Sequence, residues 1–190
     1  MPAPREKPQA PAIGLTLMGQ VPRPALRVIA ANIQALLETP VEMLPAVAIP
    51  AEAFQRQRNQ YDAGLILKHL AGFPFPHHLR ILAVTNVDLC SPILTFVFGQ
   101  AELGLSLAII SDFRLKHLED GVVAPEGVYY ERLAKIALHE LAHTFSLYHC
   151  ETPKCLMCYS PGLRHLDDLD LFFCERCSFA LRQSLRSLPA

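Results

Sequence analysis

The segment over residues 137–150, ALHELAHTFSLYHC, carries three histidines, one glutamate and one cysteine within an otherwise apolar run. Two of the histidines, His139 and His143, are four residues apart. On a helix, residues at this spacing project from the same side, about one turn from each other. Two imidazoles need that separation to reach one metal ion, so the segment predicts a helix that carries a metal site.

The first five residues of this site, HELAH, form the pattern HExxH. Two neutral imidazoles at this spacing bind zinc, and Glu140, beside the first of them, can take a proton from a zinc-bound water and pass it to a leaving amine. The pattern has only three fixed positions and also arises by chance. On this pattern alone, a helix that merely carries histidines remains an alternative.

A third histidine, His149, lies six residues after His143, which matches the last ligand of the longer pattern HExxHxxGxxH. A straight helix cannot bring His149 to the same metal, because six residues is neither one turn nor two. We therefore expect the backbone to break between the two histidines. The longer pattern has glycine at the break, but this chain has Ser146, which takes a left-handed conformation at a cost of about 1–2 kcal/mol. Zinc coordination can offset that cost.

Five of the six cysteines lie within residues 150–177. In a reducing compartment, thiols at short spacings bind a metal more often than they form disulfides. The spacing alone favours an ordinary zinc ribbon built from two C-x-x-C pairs, Cys155 with Cys158 and Cys174 with Cys177, which would leave Cys150 free. A set that includes Cys150 is the alternative.

The hydrophobic pattern predicts an α/β (α+β) layer domain with a mixed sheet. Helices are predicted over 24–37, 53–70 and 126–148, the last with Glu131 and Lys135 as an exposed i, i+4 pair. Strands are predicted at 13–19 and 41–44 and within 80–89, 94–100 and 105–111. Residues 1–12, rich in proline and alanine, are predicted to be a mobile tail, and residues 13–190 a single domain.

Composition bears on partners and location. The net charge of -1 provides no long-range field that would attract nucleic acid or an anionic membrane. No apolar run reaches the roughly 18–20 residues needed to cross a bilayer, and the first residues lack the apolar core of a secretory signal. We therefore predict a cytoplasmic protein with neither nucleic acid nor membrane as a partner. We also expect a monomer.

The combined motifs resemble the archaemetzincins, a family of zinc peptidases in the metzincin clan. The resemblance is carried by HELAHTFSLYHC, by the C-x-M that Cys155 opens and by the C-x-x-C that begins at Cys174. The segments FVFGQAELGLSLAIIS and YYERLAKIALHELAHTF also look like that family, so the resemblance covers most of residues 88–177. The chain departs from the family at Ser146 and in having one residue fewer than usual between Met157 and Cys174.

The resemblance implies a compact metzincin-like fold with a mixed twisted sheet, an active-site helix and a C-terminal part organised by zinc. It implies two zinc ions per chain, one catalytic and one structural. The catalytic zinc would be held by His139, His143 and His149, with Glu140 as general base and then acid. The structural zinc would be held by Cys150, Cys155, Cys174 and Cys177.

Three further residue roles follow from the same resemblance. Met157 would form an apolar floor beneath the histidines, and Cys158 would be a spare thiol. Tyr159 is a candidate to hydrogen-bond the tetrahedral intermediate. Substrate would bind in extended form along an edge strand, for which residues 107–111 are the candidate. An interior strand without an exposed edge is the alternative for that segment.

We therefore predict a zinc metallopeptidase that acts on peptides or proteins. The alternative is a zinc-binding protein of the same fold that hydrolyses little and acts by binding peptides or partners, which the serine at position 146 keeps open. Glu140 argues against that alternative, because binding alone needs no carboxylate there. A nucleic-acid-binding zinc ribbon is disfavoured by the neutral charge and by the scarcity of aromatic residues for base stacking.

Overall fold

A computed structural model describes residues 11–187 of the chain. Its strands and helices are β1 (Ala12–Met18), α1 (Arg23–Leu37), β2 (Val41–Met43), β3 (Phe54–Gln55), β4 (Gln60–Asp62), α2 (Ala63–Leu70), β5 (His78–Thr85), β6 (Leu89–Cys90), β7 (Gly99–Ala101), β8 (Leu107–Ser111), α3 (Glu126–Thr144), α4 (Leu163–Asp168) and α5 (Glu175–Arg186). The predicted α/β class is confirmed. β1 begins at Ala12, one residue inside the predicted tail, whose residues 1–10 lie outside the described part.

The main sheet is mixed and has five strands in the order β2-β1-β5-β8-β7. All neighbours are parallel except β7, which runs antiparallel to β8. The prediction that residues 107–111 form the substrate-binding edge is therefore wrong, because β8 pairs on both sides. Residues Ala108–Ile110 of β8 are fully buried, as expected for a strand covered on both faces. The antiparallel edge is β7.

Helices cover both faces of this sheet. Alternating strand residues point to opposite faces, so Ala108 and Ile110 of β8 join α1 and α3 in one hydrophobic cluster. Ile109, between them, packs with α2 in the other cluster. A second, three-stranded sheet in the order β3-β4-β6 lies beside α2. The result is an α/β/α arrangement in which α3 is held between the sheet and the C-terminal segments.

The predicted helix over 53–70 is wrong in its first half. Residues 54–62 form β3, a turn in which Asn59 has a φ of 51°, and β4. Helix α2 begins only at Ala63, because the side chain of Asp62 accepts a hydrogen bond from the Leu65 N–H at 3.1 Å and so caps the helix. An aspartate is a common N-cap, and this signal was present in the sequence.

Helix α3 is shorter and more buried than predicted. It ends at Thr144 rather than at residue 148. Lys135 Nζ does form an ion pair with Glu131 Oε1 at 2.6 Å, but the Lys135 side chain is only 1% exposed. Its Nζ also donates to the backbone oxygens of Leu166 and Asp167, both in α4. Neither α3 nor any other helix in the described part is long and apolar enough to cross a membrane.

Candidate metal centres

Helix α3, which carries His139 and His143, ends in a Schellman turn. The Leu147 N–H donates to Ala142 O at 3.1 Å, and the Ser146 N–H donates to His143 O at 2.9 Å. Ser146 lies in the left-handed region, with a φ of 67°. The backbone therefore breaks between His143 and His149, at the position predicted from the sequence.

Neighbouring segments hold this turn in place. The Gly104 N–H in the β7–β8 loop donates to His143 O at 3.0 Å. A Cβ at Gly104 would lie 2.9 Å from Ser146 Oγ, so the glycine leaves room for the serine side chain. From β5, Arg80 Nε donates to Thr144 O, and its guanidinium stacks on the Phe145 ring at 4.4 Å. The turn thus keeps its geometry without a glycine of its own.

Replacing Ser146 by glycine is expected to raise the free energy of unfolding by about 0.5–1 kcal/mol. The gain from removing the strained Cβ exceeds the extra backbone entropy that glycine loses on folding. Thermal unfolding of the zinc-loaded proteins measures this difference. Ser146→Ala is the matched control, because it keeps the Cβ and should bring no such gain. A Ser146→Gly chain that is no more stable than the wild type would show that the serine is not strained.

The turn brings the three predicted histidine ligands together. One ring nitrogen each of His139, His143 and His149 lies within 4.8 Å of the others. The Nε2 atoms of His139 and His143 are 3.1 Å apart, close to the roughly 3.3 Å that tetrahedral zinc with Zn–N bonds of about 2.0 Å requires. The spacing suits zinc.

The hydrogen bonds of two of these histidines set their tautomers. His139 Nδ1 donates to Leu156 O at 2.8 Å, and His143 Nδ1 donates to Leu147 O at 2.7 Å. Because a carbonyl oxygen only accepts, both ring protons are on Nδ1. Both Nε2 atoms are then acceptors, so they do not hydrogen-bond each other, and their lone pairs repel unless a cation lies between them. This is the arrangement a metal ion requires.

The electrostatics of the site keep the imidazoles neutral. Burial, followed by the neighbouring His143, lowers the pKa of His139 to about 3. Burial also lowers the pKa values of His143 and His149. All three rings are therefore uncharged at neutral pH, the form in which histidine binds a metal.

Glu140 is buried beside the first histidine and lines the same cavity. Burial raises the pKa of its carboxyl to about 8. A divalent cation held by the adjacent histidines would act in the opposite direction, because a nearby positive charge favours the carboxylate. The carboxyl is thus placed to hold or to release a proton.

The structure also groups the four predicted thiol ligands. The sulfur atoms of Cys150, Cys155, Cys174 and Cys177 all lie within 4.8 Å of one another. The Cys150 and Cys174 sulfurs are 3.8 Å apart, which is the separation that tetrahedral zinc with Zn–S bonds of about 2.3 Å requires. Four thiols fill a tetrahedron, so this centre has no position for a substrate.

Hydrogen bonds from backbone N–H groups favour the thiolate form at two sulfurs of this group. The N–H groups of Thr152 and Cys174 donate to the sulfurs of Cys150 and Cys155, at 3.4 and 3.3 Å. Arg176 also donates to Cys150 Sγ, at 3.4 Å. Burial works against the Cys150 thiolate, but the bonds from Thr152 and Arg176 outweigh it and lower the pKa of that thiol to about 6.

Cys158 stands outside this group. Its sulfur donates to Thr152 O at 3.0 Å, and it does not join the four thiols that converge. The geometry therefore favours the set with Cys150 over the zinc ribbon that spacing alone favours. Spacing could not decide between them, because both sets consist of thiols a few residues apart.

The two centres are connected through the chain. His149 of one and Cys150 of the other are adjacent. Leu156 directly follows Cys155. Its carbonyl oxygen accepts the hydrogen bond from His139 Nδ1, and its N–H donates to Phe172 O at 3.0 Å. Met157 is fully buried, and its carbonyl oxygen accepts a hydrogen bond from the Cys150 N–H at 2.9 Å. The thiol group thus holds the segment that orients His139.

A cavity of about 520 Å³ opens over the histidines and Glu140. One wall is β7, and another is the loop over residues 91–98. Tyr159 lines the cavity as well, with its ring centroid 5.4 Å from that of His149. Sequence reasoning did not single out β7 or this loop. The glycine in FVFGQ was a signal, because a glycine within a strand often marks a close approach of another group.

Comparison with known proteins places the chain in a family. The pattern of peptidase family M54 matches residues 25–183. An archaemetzincin from Methanocaldococcus jannaschii is 38% identical over 136 residues, which is 72% of this chain and 74% of the relative. An archaemetzincin from Archaeoglobus fulgidus is 32% identical over 157 residues, or 83% and 91% of the two chains.

Solved structures agree with the sequence matches. The crystal structure of archaemetzincin from Methanopyrus kandleri superposes with a TM-score of 0.81 at 30% identity and covers 92% of this chain and 96% of that one. The crystal structure of a zinc-dependent peptidase from Methanocorpusculum labreanum superposes with a TM-score of 0.80 at 32% identity, covering 90% and 100%. The chain belongs to peptidase family M54, the archaemetzincin family of zinc metallopeptidases.

Proposed function

We propose that this chain hydrolyses peptide bonds at a zinc ion held by His139, His143 and His149, with Glu140 as general base and then general acid. The observation that carries the proposal is the convergence of three neutral imidazoles beside a buried carboxyl group on the wall of an open cavity. The second group, Cys150, Cys155, Cys174 and Cys177, would hold a structural zinc.

The chemistry divides between the metal and the protein. Zinc at the histidines would lower the pKa of a bound water to about 7 and polarise the scissile carbonyl. Glu140 takes the proton of the attacking water as its oxygen bonds to the carbonyl carbon. The same carboxyl then delivers the proton to the leaving nitrogen as the C–N bond breaks. The Nδ1–H bonds of His139 and His143 keep their rings aimed at the metal throughout.

Substrate binding follows from the position of β7. We propose that an extended peptide pairs with this antiparallel edge strand, whose residues Gly99–Ala101 line the cavity above His139 and Glu140. Main-chain hydrogen bonds to a free sheet edge supply affinity without specifying side chains. Tyr159, on another wall of the cavity, is the candidate to hydrogen-bond the tetrahedral intermediate.

The alternative of a zinc-binding protein that hydrolyses little depended on Ser146. That alternative loses its main support, because Ser146 takes the required left-handed conformation and the three histidines still converge.

We further propose that residues 13–190 form one domain that works as a monomer in a reducing compartment such as the cytoplasm. One hydrophobic cluster extends from Ile13 in β1 to Leu181 in α5, which supports a single domain. A thiol centre needs reduced cysteines, which supports the compartment. The monomeric state and the lack of nucleic-acid binding remain predictions.

A peptide library tests the proposed peptide hydrolysis. The zinc-loaded chain is expected to cleave a subset of peptides, to lose this activity with a chelator and to regain it when zinc is added back, as followed by mass spectrometry of the products. A chain that contains two zinc ions and cleaves no peptide would support the alternative binding role.

A further inference from the structure

Gly99 of β7 packs directly against the side chain of Glu140. A Cβ built on Gly99 would lie 2.7 Å from Glu140 Cγ, 2.8 Å from Ile109 O and 3.0 Å from Ile110 Cγ2. Carbon atoms do not approach this closely without one of them moving. Gly99 is not among the glycines with a positive φ, so its backbone conformation is open to any residue. The glycine is therefore needed for space alone.

This contact falls at a sensitive point of the side chain. Glu140 Cγ carries the carboxyl group, so the position of Cγ decides where the carboxyl points. The Glu140 side chain is buried and packs against the β7 backbone, so it has little conformational freedom. The same strand lines the cavity in which the substrate is proposed to lie. The β7 backbone thus contacts both the proposed base and the proposed substrate.

We infer that Gly99 is a positioning residue for Glu140, because the absence of a side chain lets the β7 backbone hold the carboxyl in line with the histidine centre. A Cβ at this position would push Glu140 Cγ, or β7 itself, by several tenths of an ångström. The inference deepens the proposed function and rests on it for the role of Glu140. The contact between the two residues is independent of that role.

The kinetic test is Gly99→Ala in the zinc-loaded enzyme. Misplacement of a catalytic group by about 1 Å can cost on the order of 10²-fold in rate, so a shift of several tenths of an ångström is expected to lower kcat by roughly tenfold. The KM and the zinc content are expected to stay near their wild-type values. Gly127→Ala, on α3, is the matched control, because a Cβ there meets nothing within 4 Å. A kcat that stays within about twofold of the wild-type value would overturn the inference, as would an effect confined to KM.

A second measurement does not require activity. Gly99→Ala is made in the wild type, in Glu140→Gln, which keeps Cγ, and in Glu140→Ala, which removes it. Overpacking should lower the Tm by roughly 3–10 °C in the first two backgrounds and by a clearly smaller amount in the third. This double-mutant cycle isolates the contact between the two side chains.

The outcomes of the cycle are distinct. An equal fall in Tm in all three backgrounds, or failure to fold in all three, would mean that the contacts with β8 alone require the glycine, and the inference would be wrong. Rescue of folding or stability only by Glu140→Ala supports it. If the wild type cleaves no peptide, the proposed function fails while the cycle still decides whether Gly99 positions Glu140.

Discussion

Replacing Glu140 by glutamine is expected to lower kcat/KM for any cleaved peptide by roughly 10²–10⁴-fold, the usual contribution of a general acid–base group. Glutamine has nearly the same shape as glutamate, so it keeps the packing against Gly99, but it cannot take a proton from the attacking water. The zinc content should not change, because the three imidazoles that converge are untouched.

Peptide cleavage and metal content are measured on the same preparations. Glu126→Gln is the matched control, at the start of the same helix. Glu126 accepts a hydrogen bond from the Tyr130 hydroxyl, and the glutamine oxygen can accept it as well. The control should cleave at the wild-type rate. Equal rates for Glu140→Gln and the wild type would rule out the proposed role of Glu140.

Replacing Cys155 by serine is expected to lower the zinc affinity of the histidine centre by about 10–100-fold, the usual cost of losing a group that orients a metal ligand. Cys155 is not a ligand of the histidine centre, but it directly precedes Leu156. The Leu156 carbonyl oxygen accepts a hydrogen bond from His139 Nδ1 at 2.8 Å. Without the fourth thiolate we expect the proposed structural zinc to be lost or loosened, so that the Leu156 carbonyl is no longer held against His139. The adjacent pair His149 and Cys150 transmits the same change to the third ligand.

Competition with a chelator, combined with zinc content per chain, measures this coupling. Cys158→Ser is the matched control, because it makes the same substitution three residues further on in a thiol that lies outside the group of four. It should leave both zinc ions bound. If Cys155→Ser removes only the structural zinc and the histidine centre keeps its wild-type affinity, the two centres are independent.

Much of the metal chemistry could be predicted from local spacing. Helical periodicity alone places His139 and His143 on one face. The six-residue spacing from His143 to His149 demands a break in the helix, and Ser146 provides it with a left-handed φ of 67°. Local signals fail where tertiary contacts decide. Lys135 was predicted to be exposed because its i, i+4 partner suits a surface, yet α4 covers it.

The sequence by itself determined which residue types could bind a metal and that the backbone must break between His143 and His149, because these depend on residue types a few positions apart. Only the tertiary structure decided which strand forms the edge, since β7 and β8 are separated by a short loop and either could have been outermost. Spacing alone left Cys150 and Cys158 open and the family resemblance favoured Cys150, which the fold groups with the other three thiols. Only the fold decided that the β7 backbone packs on Glu140. These are contacts between segments distant in sequence, and their geometry depends on how the sheet, α3 and the C-terminal segments pack together.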